Sequence, residues 1–560
     1  MYAVCGAAFF GTIDVGCFGK KTVFGIRSQG LDGVLELTGW QQNIYKYDQD
    51  SNYGTIAAAA KYTRSIRSDQ IADFLFGAEK LRFSGSRAER QKGDILADYF
   101  GLPADFSSTV NFSPNITSTI IDFDWFQAFD AYLPGLFIIV HMPVVHTKWD
   151  LNMCEVGINP GTAFYPAGYM SNANIPAASL PQSVTQAMKG NTVFGDMQEP
   201  LRYGKIFGRQ QRSRIAELQT TLGWNYNQPW YHAGISFRVG APTGNPTNAQ
   251  FIFEEIVGNR HHWDVGMGLS GHVNMWEDKE KGRCVAMYLD AHVSHLCTSQ
   301  QKRSFDFTKN GDGSRYILLQ QIESPSQDVL INGTAPTNQY IGNLVPAINY
   351  TTFDTKISIG VQADVVLKLA YQRDGFEVDF GYNFWANSKE KLHCRESFIA
   401  NRYALKGDAQ IYGFTAGGNN PIALNATQSM ATILAGQGNG NSNFANVNAD
   451  NQPAAASTAA GVLNQLNVAD ATALGIGQVQ VNGSNPAILL ADSDINNESG
   501  ILPRALSHKV FGYVGCMWDN RDDLDPYLGV GLSGEFADTN PCNNATCSQW
   551  AIWVKGGIAY

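Results

Sequence analysis

Two stretches carry the glycine spacing of a dinucleotide-binding loop, Gly266-Met267-Gly268-Leu269-Ser270-Gly271 and Gly529-Val530-Gly531-Leu532-Ser533-Gly534. That chemistry needs the glycines between a strand and a helix, so that the helix N-terminus faces the pyrophosphate. Both stretches lie instead inside runs that alternate apolar and polar residues, where glycine makes room or lets a strand bend. Gly16-Cys17-Phe18-Gly19-Lys20-Lys21-Thr22 is not a phosphate loop, because Asp14 stands where its first glycine belongs. His261 and His262 are adjacent, and neighbours on an extended chain point apart, so they do not share a metal. Neither GxSxG nor HExxH occurs. The nine cysteines include no CxxC and no zinc spacing with histidine. Cys542 and Cys547 flank a turn-rich stretch and could close a local disulfide; free thiols are the alternative. Asn115, Asn349 and Asn544 begin glycosylation sequons of the kind that arise by chance in an Asn-rich chain. No catalytic residue, cofactor or metal is expected.

The chemistry-bearing residues belong to strands. From Ile357 to Gln372, Ile357, Ile359, Val361, Ala363, Val365, Leu367, Leu369 and Tyr371 alternate with Ser358, Gly360, Gln362, Asp364, Val366, Lys368, Ala370 and Gln372. This is period two, the signature of a strand with one apolar face. Asp374-Gly375 supplies a two-residue type I′ turn, since both residues tolerate positive φ. The return strand places Phe376, Val378, Phe380, Tyr382 and Phe384 opposite Glu377, Asp379, Gly381 and Asn383. Such a turn sets Arg373 across from Phe376, Tyr371 from Val378 and Leu369 from Phe380. A second hairpin of the same kind spans 263–293, with Asp264, His272, Asp290 and His292 on its polar face. Strands this long exceed the usual 5–6 residues and match the about 9–11 needed to cross a bilayer at a tilt.

Composition agrees. Charged residues are 16% of the 560, aromatics 12%, and glycines number 56. A net charge of −10 argues against a nucleic-acid partner. No apolar run is long enough for a transmembrane helix; Leu133–Val145 is broken by Pro134, His141 and Pro143. The N-terminus lacks a basic region followed by an apolar core, so the sequence is expected to be a processed form whose signal peptide has been removed.

In chain order, Leu31–Ile44 reads as a short helix, 52–66 and 80–86 as strands, and 121–130 as a strand carrying Asp122 and Asp124. Residues 153–227 read as a long loop, either a plug or a surface loop, with helix-like pieces at 182–189 and 211–222. Residues 415–504, rich in Ala, Asn and Gly, read as a surface loop or insertion with short helices at 452–467. Three strands close the chain, at 506–519, 526–537 and 549–560. The last carries Trp550, Ile552, Val554, Ile558 and Tyr560 on one face, a pattern similar to the C-terminal assembly signal of outer-membrane barrels.

The expected fold is an all-β, antiparallel transmembrane β-barrel of about 14–18 strands with long loops containing short helices. The barrel is assigned to 1–414 and 505–560. GWQQNIYKYDQDSNYG (39–54), VHTKWDL (145–151), GYNFWANSKEKL (381–392) and SQWAIWVKGGIAY (548–560) resemble outer-membrane-protein-like paralogues of amoeba-infecting bacteria of the Dependentiae type. The resemblance implies a porin-like channel for passive diffusion of small hydrophilic solutes, abundant in the outer membrane of a Gram-negative-type bacterium. Its expected partners are the lipid bilayer, the barrel assembly machinery and further copies of the chain, as a trimer or lattice. An envelope-lattice protein is the alternative. A barrel hydrolase using Ser270 and His272 is a third reading, disfavoured because both residues share the lumen side.

A charge facing mid-bilayer lipid is costly, so the polar face should line water. The expected pore-lining set is Asp122, Asp124, Asp264, His272, Asp290, His292, Asp364, Lys368, Glu377, Asp379, Glu535 and Lys555. Its acidic excess predicts a weak preference for cations.

Overall fold

The computed structural model describes residues 20–47, 51–91, 93–323, 339–407, 409, 411–414, 421–423, 427–429, 431–434, 487–518, 524–537 and 544–560. Twelve strands form the barrel: β1 (Gly54–Ser65), β2 (Asn115–Ala128), β3 (Leu136–Asp150), β4 (Leu218–Gln228), β5 (Tyr231–Ala241), β6 (Asp264–Asp278), β7 (Arg283–Ser304), β8 (Thr352–Arg373), β9 (Phe376–Asn387), β10 (Ala505–Met517), β11 (Asp525–Ala537) and β12 (Gln549–Ala559). Each pairs antiparallel with its successor, and β12 pairs with β1, so the sheet is a closed meander with no free edge in the ring. Closure leaves no unpaired backbone row facing lipid.

The ring has twelve strands rather than the expected 14–18. Much of the chain is spent elsewhere, and β7 and β8 each run 22 residues. The 211–222 stretch is not helical. Arg209–Ile215 is a strand paired with the end of β3, and β4 follows at once. Its period is two: Leu218, Leu222, Trp224 and Tyr226 are exposed while Gln219, Thr221 and Asn225 are buried. Pro143 sits where β3 changes partner from β4 to Arg209–Ile215. A missing N–H is tolerated at such a break, and Pro143 still accepts a hydrogen bond from the Ala216 N–H at 2.9 Å.

The Asp374-Gly375 turn and its register are as expected, with Arg373 opposite Phe376 and Leu369 opposite Phe380. Both turn residues have positive φ, 48° and 80°. A Cβ on Gly375 would lie 2.3 Å from the Met517 carbonyl, so glycine is required there twice over. Every strand turns an apolar residue outward; Ile56, Met267, Leu269, Phe380 and Leu532 are among the most exposed. These side chains form a belt suited to lipid.

The two rims differ. At one, connections are short: 229–230, 279–282 and 374–375. At the other, the described parts of the segments 66–114, 151–217, 242–263, 305–351 and 388–504 build a body whose core is continuous with the barrel end. Small sheets, the helix Ser68–Phe76 and the turn Val184–Ala187 frame its apolar core, which includes Phe74, Phe83, Phe106, Tyr165, Tyr316 and Leu344. Residues 487–504 belong to it, since Ile495–Asn496 pairs with Asp306–Phe307. The expected helices at 452–467 and the residue Cys542 lie outside the described residues; Cys547 is a buried free thiol.

The outward face of β12 carries Trp550, Ile552, Val554, Ile558 and Tyr560. Tyr560 ends the seam, exchanging backbone hydrogen bonds with Gly54 at 2.9 Å in both directions. Its hydroxyl donates to Gln127 at 3.0 Å and accepts from the Trp125 indole at 3.1 Å. Removing residues 558–560 is expected to abolish most membrane insertion, because each backbone group left unpaired in lipid costs several kcal/mol. The amount of protein whose gel migration shifts on boiling measures this; undiminished insertion would refute the assembly role.

Candidate functional site

The functional candidate is the barrel interior, and the chain fills it. Residues 20–47 run its whole length. At the end under the long connections, the Lys21 N–H meets the Leu75 carbonyl. At the short-turn rim, the Asn227 side chain donates to the Lys46 carbonyl at 3.2 Å and Tyr45 stacks on His232 with ring centroids 3.7 Å apart. Two short helices shape the segment, α1 (Gly33–Leu37) and α2 (Gln41–Ile44), within the stretch expected to be helical. Gly39 turns the chain between them at φ 88°, and a Cβ there would meet the Tyr513 hydroxyl at 2.7 Å. The lumen occupant is thus the N-terminal segment and not 153–227, whose described part packs in the rim body and in β4.

Barrel size explains the fit. Eight strands are just filled by their own side chains, and about 16–18 leave an aqueous channel. Twelve leave room for one strand of plugging chain. Val34, Leu35 and Leu37 pack against inward residues Ala59, Ala286, Tyr288, Val366, Ala370, Phe511, Tyr513 and Trp553. Trp40 and Ile44 pack with Ala57, Phe126, Phe137 and Tyr527. The inward alanines of β1, Ala57 and Ala59, leave the space that the plug fills.

Charged pairs fix the plug in register. Arg27 donates to Asp364 at 2.7 Å and to the Asn383 amide oxygen at 2.6 Å, and lies 3.7 Å from Glu535. Asp32 accepts from Lys61 and, at 3.1 Å, from Lys509. Glu36 accepts from Arg238. Lys555 donates to the Leu35 carbonyl at 2.7 Å and sits 4.1 Å from the centre of the Trp40 ring. Burial alone raises the Glu36 carboxyl, but Arg238, His141 and His292 together outweigh it and hold the carboxyl at about 2. Burial likewise acts against Asp32, and Lys509, Lys61 and Arg27 overcome it and keep the carboxyl well below its ordinary range.

All twelve residues expected to line a pore face the interior. Asp122, Asp124, Asp264, Asp364, Lys368, Glu377, Asp379, Glu535 and Lys555 are buried there, and His272, Asp290 and His292 are half-buried. They touch the plug, one another or other inward side chains of the wall, because the plug occupies the space. Lys368 bridges Glu377 at 3.2 Å and Asp379 at 2.9 Å beneath the Tyr288 ring. Asp290 and His292 meet at 2.9 Å. His272 faces His232, the two Nδ1 atoms in contact. Asp264 borders Arg238 and the Ser294 hydroxyl. The sequence reading missed the inward Lys61, Arg238, Lys509 and His141, so the interior is far closer to charge balance than expected. Beside the plug lies a small cavity of about 40 Å³, bordered by Trp40, Tyr45, Phe126, Phe137, Asp124, His141, Arg238 and His292 among others.

No protein-family model matches the chain, and no curated protein does. Solved structures with a similar trace include an outer membrane channel from Pseudomonas putida F1, 9% identical over 92% of this chain and 98% of that one, with a TM-score of 0.32. A Pseudomonas aeruginosa FadL homologue is 7% identical over 91% and 90%, with a TM-score of 0.25. The Pseudomonas putida toluene transporter TodX is 8% identical over 98% of both chains, with a TM-score of 0.26.

Proposed function

We propose that the protein is an outer-membrane channel closed at rest by its own residues 20–47, which passes small hydrophilic solutes by diffusion when that segment leaves its seat. One observation carries the reading: a continuous stretch of chain lies along the interior, tied to the wall by Arg27–Asp364, Asp32–Lys61, Asp32–Lys509 and Glu36–Arg238. A barrel built only as scaffold needs no removable filling; a channel does. The apolar belt of the outer face supports membrane residence. With the plug withdrawn, the wall exposes acids and bases together, Asp364 and Glu535 beside Lys509, Lys61 and Arg238. The open lumen therefore selects only weakly by charge, with the residual preference for cations.

Planar-bilayer recording tests this. The full chain is expected to stay almost silent, and a variant lacking residues 20–47 to give steady conductance at least about ten times larger. Silence from that variant, in protein that still shifts on boiling, rejects the channel.

A further inference from the structure

The geometry points to a divalent transition-metal site inside the barrel wall, made by Asp122, Asp124 and His141. Asp122 and Asp124 are two apart on β2 and so share its inward face. His141 on β3 is the direct cross-strand partner of Asp124. One ligand atom from each of the three lies within 4.8 Å of the others. His141 Nδ1 is 2.6 Å from Asp124 Oδ1 and 3.3 Å from Asp122 Oδ1. The three side chains are 5%, 1% and 3% exposed in that order.

Burial without satisfaction is what marks the cluster as a site. Asp122 Oδ1, Asp124 Oδ2 and His141 Nε2 are buried with no hydrogen-bond partner. Buried carboxylates are ordinarily paired or coordinate a metal. Lys555 is the nearest ammonium, 3.8 Å from Asp124 Oδ2, and it is engaged by the Leu35 carbonyl and the Trp40 ring. Glu36 faces the cluster too, but Arg238 holds it. The proton that His141 shares with the carboxylates is thus their nearest compensation, and a divalent metal replaces it with more charge at the same place.

Two carboxylate oxygens and one imidazole nitrogen suit Zn²⁺, Mn²⁺ or their neighbours, not Ca²⁺, which takes six or more oxygens. Ligand atoms on a tetrahedral zinc stand about 3.3 Å apart. The His141–Asp122 pair already has that spacing, and the His141–Asp124 contact must lengthen as the metal displaces the proton it shares. Asp124 and His141 border the cavity beside the plug, which leaves space for further ligands of the metal. The site does not depend on whether the lumen conducts.

The test uses the full chain in detergent, stripped with a chelator. Calorimetric titration with ZnCl₂ is expected to show one Zn²⁺ per chain. Asp122→Asn and Asp124→Asn should each weaken it at least about tenfold. His272→Gln, which alters the other imidazole pair of the interior, should bind as the parent does. A visible spectrum of the Co²⁺-loaded parent guards against variants that fail to fold: nitrogen and oxygen ligands give d–d bands without a thiolate charge-transfer band, lost on adding one equivalent of Zn²⁺. No saturable binding, a thiolate band, or Zn²⁺ affinity unchanged in folded Asp122→Asn and Asp124→Asn overturns the site.

Discussion

Lys368→Met is expected to prevent the barrel from assembling into a stable form. The ammonium is fully buried and bridges Glu377 and Asp379, which lie two residues apart on the inward face of β9. Removing it leaves two carboxylates together in a space with little water. Breaking a buried pair by deleting one partner costs about 3–5 kcal/mol, and here one deletion strands two charges. That is a large fraction of the about 5–15 kcal/mol by which folded domains are stable. Lys368→Met combined with Glu377→Gln and Asp379→Asn removes all three charges and should recover most of the loss. Urea unfolding from detergent, with boil-sensitive gel migration, measures both. A single variant as stable as the parent would mean that water reaches this part of the wall.

Acid is expected to loosen the plug and, on the function proposed above, to raise conductance. Glu36 holds its proton far more weakly in its seat than free, about 2 against 4.5. A lowered value contributes stability that is complete above about 4.5 and lost as pH falls toward 2. The difference is worth about 3 kcal/mol to the seated plug, and Asp32 adds in the same direction. Conductance should therefore stay low from pH 7 to 5 and rise between about 4.5 and 2. Glu36→Gln should leak already at neutral pH and show a smaller acid step. A full-length channel that remains shut at pH 3, with its barrel intact, would show that these carboxylates do not hold the plug.

The strands were legible because one face meets lipid and the other does not. Over Val361–Phe384 the alternation, the Asp374-Gly375 turn and the register all followed from residue types, whereas Ile357 and Ile359, expected on the outward face, are buried where the pairing with β7 shifts register. The plug was not, although it left a mark. Val366, Ala370, Ala286, Tyr288 and Trp553 fall on the nominally polar face, where a water-filled lumen gives apolar groups nothing to pack against. Read physically, they call for an apolar occupant. Asp122 and Asp124 were singled out, but His141 registered only as an interruption of an apolar run. Its place opposite Asp124 depends on the seven-residue connection 129–135, whose form no two-residue turn rule supplies. The 211–222 stretch misled because Ile215, Leu218 and Leu222 suit a helix face as well as a strand once Ala216 and Glu217 interrupt the alternation.

The seam between β1 and β12 carries a kinetic consequence. All other ring neighbours are consecutive strands, whereas Thr55 pairs with Ala559, some five hundred residues later. Loop-closure entropy grows with the logarithm of that separation, about 5 kcal/mol from the length alone. Contacts this distant in sequence form late. Residues 20–47 immediately precede β1 and lie across the space the ring encloses. Passing that stretch through a finished ring would mean dragging Arg27, Asp32 and Glu36 past an apolar-packed interior. If the segment is laid against the growing sheet first, the last strand simply seals it in. Chain order thus makes the occupied lumen the product of folding itself, and the empty one a state reached only afterwards.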